Sequence, residues 1–409
     1  MATIVVLADD LTGTLDCAVQ FSKQNIDVSV CNYDSLDGSS MKNSASVLVV
    51  NTDSRHIAPE EAADRVRRIT ELAVQTKVSF YYKKIDSLLR GNIGAECEAL
   101  MRAAGRERMF LLPAFPDNGR YTRGGCQYYG DKPVTESVLG NDKFSKQLSS
   151  SLPELFRLQN CSVQTRVVGI SEPLPQEQVT EPTVYVFDAE TNEQLRERAA
   201  ELKNTELPWV AAGCAGFAEV IPLALGLESG ADREIQPVSK ALVVSGSINP
   251  ISIEQVRNID GAGYKVLYLS YEQIHEKPEL LGKIISMARE ELRKSGTVIV
   301  ATSGDTAGAD LMKEKDAMCS IMATAAVGII DGIKDCALVV FGGDTSLGII
   351  QEMRAKEIKP VCEIAPGVVC STLVVDDGSK NVFITKSGGF GGKDAIVEIL
   401  SFLNLKQSK

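Results

Sequence analysis

The chain has little from which to build a histidine-based active centre. Its 409 residues include two histidines, His56 and His275, and one tryptophan. Two histidines so far apart leave no material for a His-rich zinc site and little for an ordinary Ser-His-Asp triad, so hydrolase readings drop. Ten cysteines are present but no CxxC pair. Several fall in apolar strand or helix patterns, where a free thiol packs as a small hydrophobe, and a reducing cytoplasm is the expected compartment. Basic charge is also short: 43 Lys and Arg against 54 Asp and Glu leave a net charge of −11. That balance argues against nucleic acid or an anionic membrane as the main partner. No apolar run approaches the roughly 18 residues needed to span a bilayer, and residues 1–3 lead into a strand without the basic and apolar regions of a signal peptide. The standard phosphate fingerprints are missing too. No GxxxxGK[ST] occurs, GxGxxG is absent from a strand-turn-helix setting, and the nearest approach, residues 388–394, is one residue short with Asp394 in place of Ser or Thr.

What is present is an α/β alternation too long for one core, so at least two domains are expected. A continuous apolar run, residues 3–8, reads as a strand buried on both faces and stops at Asp9-Asp10-Leu11-Thr12-Gly13, with a helix predicted from Thr14. One aspartate suffices to cap that helix. The second is then free to bind a metal or take a proton, and Asp10 is favoured for that role. A strand over 46–51 ends at Asp53-Ser54-Arg55, whose guanidinium fork suits a carboxylate or phosphate ligand, or a neighbouring aspartate. A strand over 78–82 enters Lys83-Lys84-Ile85-Asp86-Ser87, with Arg90 and Gly91 before a helix near Asn92; a strand over 109–112 leads to residues 113–120. Ligands of open α/β sheets bind outside the carboxyl ends of the strands, so these four loaded ends predict an anion-handling site. Residues 121–181, rich in Gly, Ser, Gln and Pro, read as an irregular excursion, after which strands resume at 183–187 and 209–213.

The polar segment 226–237 has the character of a linker, which predicts domains at 1–230 and 238–409. In the second half four strands each enter a loop of small residues: Ser245-Gly246-Ser247, Ser303-Gly304-Asp305, Gly342-Gly343-Asp344-Thr345, and Ser387-Gly388-Gly389-Phe390-Gly391. Each alone is an ordinary tight turn. Repetition of a loop whose backbone N–H groups can close on phosphate oxygens predicts a nucleotide site.

Taken together, Asp9 to Gly13, Asp53-Ser54-Arg55, Lys84 to Ser87 with Arg90-Gly91-Asn92, Gly342 to Ser346 and Ser387 to Gly391 resemble the four-carbon acid sugar kinase family over nearly the whole chain. The resemblance implies an α/β fold of two domains, each a mostly parallel sheet flanked by helices, with the active site in the cleft between them. It further implies that the N-terminal domain binds a sugar acid, the C-terminal domain binds ATP, and phosphate passes to the terminal hydroxyl of threonate, erythronate or 3-oxo-tetronate. Carried over by motif, Asp9 or Asp10 would be catalytic. Arg55, Lys83, Lys84, Ile85, Asp86, Ser87 and Arg90 would hold the acid. Ser245, Gly246, Ser247, Gly304, Asp305, Gly342, Gly343, Asp344, Thr345, Gly388, Gly389 and Gly391 would hold ATP. Mg²⁺ follows from the phosphate chemistry, with Asp344 or Asp305 as ligands. The expected partners are therefore small molecules, and a homo-oligomer is compatible with this reading. Leu88, Thr14-Leu15 and residues 121–127 depart from the family pattern, which bears on the identity of the acid. The alternative is a non-catalytic regulator that binds a sugar acid.

Overall fold

The apolar run that opens the chain forms a strand buried at every position, β1 (Ile4–Ala8), and the N-terminal sheet is laid out on either side of it. The computed structural model describes residues 3–36, 41, 45–137, 147–205, 208–227, 229–230, 234–302 and 311–405. The chain divides into two compact units, Met1–Asp232 and Arg233–Lys409.

In the first unit β1 lies between β3 (Val47–Asn51) and β4 (Phe80–Lys84). Beyond β3 is β2 (Val28–Asn32), and beyond β4 follow β11 (Val210–Gly213), β5 (Arg108–Leu112), β10 (Thr183–Phe187) and β9 (Gln164–Val168). All of these pairs are parallel. From β1 the chain builds the sheet first to one side, through β2 and β3, and then crosses to the other with β4. The carboxyl ends of β1, β3 and β4 thus meet at a topological switch point, where open α/β sheets leave a crevice.

Strand pleating sends alternate side chains to opposite faces. Val5, Leu7 and Tyr81 belong to the core under α2 (Pro59–Gln75), α3 (Ile93–Ala103) and α4 (Leu152–Leu158), while Tyr82 turns to the other face, its ring 5.8 Å from that of Phe217. That second face carries α1 (Leu11–Ser22), α5 (Asn192–Leu202) and α6 (Ala215–Leu225). The strand predicted to stop at Tyr82 continues through both lysines, because Lys83 and Lys84 pair in register with Leu7 and Ala8 of β1 and with Ala212 and Gly213 of β11. Helix α1 begins at Leu11 instead of Thr14, since Asp10 already supplies its cap. The segment read as irregular is structured in part. It contributes a small antiparallel sheet, β6 (Arg120–Arg123), β7 (Cys126–Tyr129) and β8 (Lys132–Pro133), as well as α4 and the edge strand β9. Strand β9 escaped notice because an edge strand keeps polar side chains facing water.

The second unit orders its strands β13 (Val266–Leu269), β14 (Thr297–Thr302), β12 (Lys240–Ser245), β15 (Cys336–Phe341) and β18 (Lys380–Lys386), all parallel. It ends in an antiparallel hairpin, β17 (Val368–Val375) and β16 (Ala355–Ala365). Here β12 is the switch point, flanked by β14 and β15. Helix α7 (Pro250–Gly261) follows β12 directly.

At the end of β11 a Cβ on Gly213 would lie 2.4 Å from the Leu112 carbonyl and 2.9 Å from Tyr82 Oη. Gly213→Ala should therefore destabilise the first unit by about 1–3 kcal/mol through overpacking. The sole tryptophan, Trp209, reports on that unit, with its ring 4.7 Å from Phe80 and 5.2 Å from Phe110. A urea transition followed by its fluorescence should shift to lower midpoint, and an unchanged midpoint would contradict the close approach.

Candidate functional site

Three strand ends of the first unit are tied together by charge. Asp9, 2% exposed, takes two arms of the Arg55 fork, Nε to Oδ2 at 2.7 Å and Nη2 to Oδ1 at 3.0 Å, while Nη1 reaches Asp10 Oδ2 at 2.7 Å. The other oxygen of Asp10 accepts from the Gly13 amide at 2.8 Å, so the residue favoured as base is also the helix cap. Asp86 holds Arg90 in the same bidentate way, at 2.7 and 2.9 Å. Burial alone would raise the Asp9 carboxyl, but Arg55 outweighs it and its pKa falls below the ordinary 3.8. Burial is overcome likewise at Asp86, by Arg90 and then Arg55, which hold it far below that value. Arg55, opposed by burial but faced by Asp10, Asp9 and Asp86, is pushed well above the ordinary guanidinium value.

Two residues expected at a ligand are enclosed instead. Lys83, 0% exposed, points under α3 and lies 3.2 Å from Glu96 Oε2, also donating to the Leu7 and Lys84 carbonyls. Ile85 packs into the core, its amide donating to Gly213 O and its carbonyl accepting from Lys84 Nζ. The reason is the pleat: once β4 extends to Lys84, Lys83 falls on the α3 face and Lys84 on the α1 face. Glu96, which Ser54 Oγ also contacts, was missed. Burial raises its pKa. Its signal was available, a carboxylate on the apolar stripe of Ile93, Cys97 and Leu100. Also missed was Gln127, which donates to the Ser87 and Pro113 carbonyls and so ties the partly buried Ser87 to β7. Asn92 donates to the Ser54 and Ile57 carbonyls and fixes the loop that carries Arg55. A groove of about 1010 Å³ opens beside Arg55, His56, Gly91 and Asn92 and runs between α2 and α3.

Among the described residues, Lys84, Arg108, Arg120 and Lys386 are buried cations with no carboxylate within ion-pairing distance; in the first unit Arg108 opens β5, at the amino end of the sheet, whereas Lys84 ends β4 and Arg120 lies beyond the end of β5. Lys84 donates to its neighbour's carbonyl at 2.9 Å and sits 3.0 Å from the place a Gly13 Cβ would occupy. Burial works against its charge, yet Asp16, Cys214 and Asp9 outweigh burial and raise its pKa above 10.5. Arg120 stacks 5.1 Å over the Tyr129 ring and donates to the Asn118 carbonyl, and its buried Nε has no partner. Burial lowers its pKa.

In the second unit three of the small-residue loops converge. A Cβ on Gly246 would lie 2.1 Å from Thr345 Oγ1, one on Gly388 2.6 Å from Ser247 Oγ, and one on Gly342 3.6 Å from the Ser247 amide. Gly342 has a φ of 112°, open to glycine but not to most side chains. Gly343 begins the helix Gly343–Glu352, with Asp344 and Thr345 in its first turn; Asp344 pairs with Lys315 at 2.7 Å. Gly389 and Gly391 continue the third loop, where Gly391 has a φ of 81°. Ser245 and Ser247 line a cavity of about 290 Å³ with Val256, Tyr268, Ala301 and Thr302. Gly304 and Asp305 lie outside the described residues.

Beneath the third loop is Lys386, 1% exposed, which the motif reading passed over. Its Nζ donates to the Ser387 and Phe390 carbonyls at 2.9 and 3.0 Å, contacts Ser252 Oγ at 3.3 Å and lies 4.5 Å over the Phe341 ring. Burial brings its pKa down from 10.5 to about 7. An unfolded chain keeps that proton to about pH 10.4, so between these values the unfolded state binds more protons and stability rises with pH. Lys386→Met should accordingly be more stable than the wild type below pH 7, with the advantage shrinking toward pH 10 in calorimetric melts. An advantage independent of pH would show that Lys386 titrates normally.

Comparison with known proteins agrees with this division. A sugar-binding N-terminal domain matches residues 4–221 and a nucleotide-binding C-terminal domain matches residues 242–396. A D-threonate kinase of Salmonella typhimurium is 29% identical over 98% of this chain and 98% of its own. A D-erythronate kinase of Heliobacterium modesticaldum is 23% identical over 100% and 98%, and a 3-oxo-tetronate kinase of Pseudomonas fluorescens is 23% identical over 97% and 96%. Among solved structures, one from Salmonella typhimurium superposes with a TM-score of 0.79 at 20% identity, covering 98% of this chain and 99% of that one. One from Haemophilus influenzae superposes with 0.73 at 22%, covering 98% and 100%. The fold is shared with both. With more than half of its length matched by the sugar-binding domain and most of the rest by the nucleotide-binding domain, the chain belongs to the four-carbon acid sugar kinase family.

Proposed function

We propose that this protein transfers the γ-phosphoryl group of ATP to the terminal hydroxyl of a four-carbon sugar acid of the threonate, erythronate or 3-oxo-tetronate type. The observation that carries this reading is the convergence of the Ser245–Ser247, Gly342–Thr345 and Gly388–Gly391 loops at one end of a parallel sheet, in a chain whose first unit gathers buried charge at its own switch point. Curated relatives acting on all three acids support the substrate class.

Phosphoryl transfer requires an aligned hydroxyl, neutralised phosphate charge and a group to take the proton. In this reading the glycine loops supply backbone donors to the phosphates, and the cavity beside Ser245 and Ser247 receives the nucleoside. Arg55 is already committed to two aspartates, so the acid's carboxylate falls to Lys84 and Arg120, cations without an acidic partner that lie at or beyond the carboxyl ends of strands, unlike Arg108 at the start of β5. Asp10, its side chain 27% exposed against 3% for Asp9, is the carboxylate positioned to take the hydroxyl proton. Among the described residues no three His, Cys, Asp or Glu side chains gather to hold a metal. Mg²⁺ held by one carboxylate and the phosphates themselves would fit Asp344, provided it displaces Lys315. When bound it would neutralise phosphate charge. A cytoplasmic location suits these substrates; among the described residues no helix is long and apolar enough to cross a membrane.

An ADP-release assay across the three acids, with ATP and Mg²⁺, tests the reading directly. Release with at least one acid and none with aldoses is expected. Acid binding without ADP release would instead indicate a regulator. Lys84→Met should raise KM for the acid roughly ten- to a hundredfold, the loss of a charge-assisted contact, and leave KM for ATP nearly unchanged. Equal changes in both would remove Lys84 from acid recognition. Asp10→Asn should keep acid binding and the helix cap, since Asn caps nearly as well, while kcat falls by roughly a hundredfold or more. Near-normal kcat would leave positioning and electrostatics to carry the reaction.

A further inference from the structure

A buried lysine without an acid is expensive to keep, which directs attention to what Lys386 does for the loop above it. The carbonyls of Ser387, Gly388, Phe390, Gly391 and Gly392 are drawn toward three buried side chains. Lys386 Nζ takes Ser387 O and Phe390 O, Ser252 Oγ donates to Gly388 O at 2.9 Å, and Gln255 Nε2 donates to Phe390 O, Gly391 O and Gly392 O at 3.0, 3.1 and 2.8 Å. The Gln255 amide is so committed to these carbonyls that its own Oε1 is buried without a donor.

A planar trans peptide points its C=O and the following N–H in opposite directions. Holding the carbonyls of Ser387, Gly388, Phe390 and Gly391 inward therefore turns the amides of Gly388, Gly389, Gly391 and Gly392 away from Lys386 and Gln255. None of these four N–H groups has an acceptor among the described residues. A Cβ on Gly388 would lie 2.6 Å from Ser247 Oγ and one on Gly389 3.7 Å from Asn249 Nδ2, so this loop stands beside the one that follows β12.

We propose that Lys386 and Gln255 are positioning residues that make the 387–392 loop an anion-binding surface, by fixing its carbonyls inward and its amides outward toward a polyphosphate. The proposal rests on the nucleotide reading of this unit. Neither side chain touches the ligand. Lys386 adds a positive charge one peptide layer below it, and a loop built with a carboxylate beneath would gain the same rigidity while repelling phosphate.

Calorimetric titration of the whole protein with inorganic triphosphate, with ATP and with D-threonate separates this role from a structural one. Lys386→Met should weaken triphosphate and ATP binding at least tenfold, leave acid binding within about twofold, and keep or raise the Tm at pH 7. A merely structural lysine would lower Tm and leave the affinity of the folded protein unchanged, which would overturn the proposal. So would wild-type protein that fails to bind triphosphate. Gln255→Leu, which frees three carbonyls without removing charge, should shift triphosphate affinity in the same direction and decides the matter if Lys386→Met does not fold. Wild-type protein that binds triphosphate with an affinity lost in Lys386→Met but phosphorylates no sugar acid would refute the kinase function and leave the loop assignment standing.

Discussion

The first unit depends on one buried ion network, Arg55 between Asp9 and Asp10. Asp9 follows β1, Arg55 lies in the loop after β3, and Asp10 caps α1, so a single guanidinium joins two strand ends to a helix N-terminus. The backbone reinforces the tie, for the Asp9 carbonyl accepts from the amides of Ser54 and Arg55 at 2.9 and 3.2 Å. Removing one partner from such a network strands a charge in the interior and costs about 3–5 kcal/mol. Architecture and chemistry are thus coupled here. The residues that would face a substrate are also those that close the switch point, and Arg55 cannot be read as a free cation awaiting a carboxylate.

The second unit solves a similar problem with neutral partners. Lys386 is surrounded by carbonyls and a hydroxyl where Arg55 is surrounded by carboxylates, and the pKa directions follow: burial prevails at Lys386 and acidic neighbours prevail at Arg55. A cation left uncompensated beneath a glycine loop favours an anion above it. A cation already neutralised serves rigidity more than attraction. The contrast between Lys84 and Lys83 is the same distinction one residue apart, Lys83 meeting Glu96 beneath α3 and Lys84 meeting no carboxylate at ion-pair distance among the described residues.

Much of this was legible in the chain. Buried parallel strands read as unbroken apolar runs, so β1, β3, β5, β12 and β15 were visible, as were the polar or small-residue ends they carry. Less visible were the elements that do not obey that rule: the edge strand β9, with polar residues facing water, and the small antiparallel sheet of residues 120–133. Glu96 left a signal, a carboxylate on the apolar stripe of its helix, but not its partner. Only the packing of α3 on β4 shows that Lys83 matches the charge.

Sequence alone determined the α/β class, the division into two units and the strand ends at which charge and glycine collect, because those properties follow from local periodicity and from residue types suited to a turn. Tertiary structure alone decided which lysine faces which layer, which aspartate caps and which is sealed, and that Lys386 lies under the third loop. Each of those depends on register and on partners distant in the chain, such as Lys83 with Glu96 or Gln255 with Gly392. A one-residue shift in the register of β4 against β1 exchanges the faces of Lys83 and Lys84, and no local pattern specifies it.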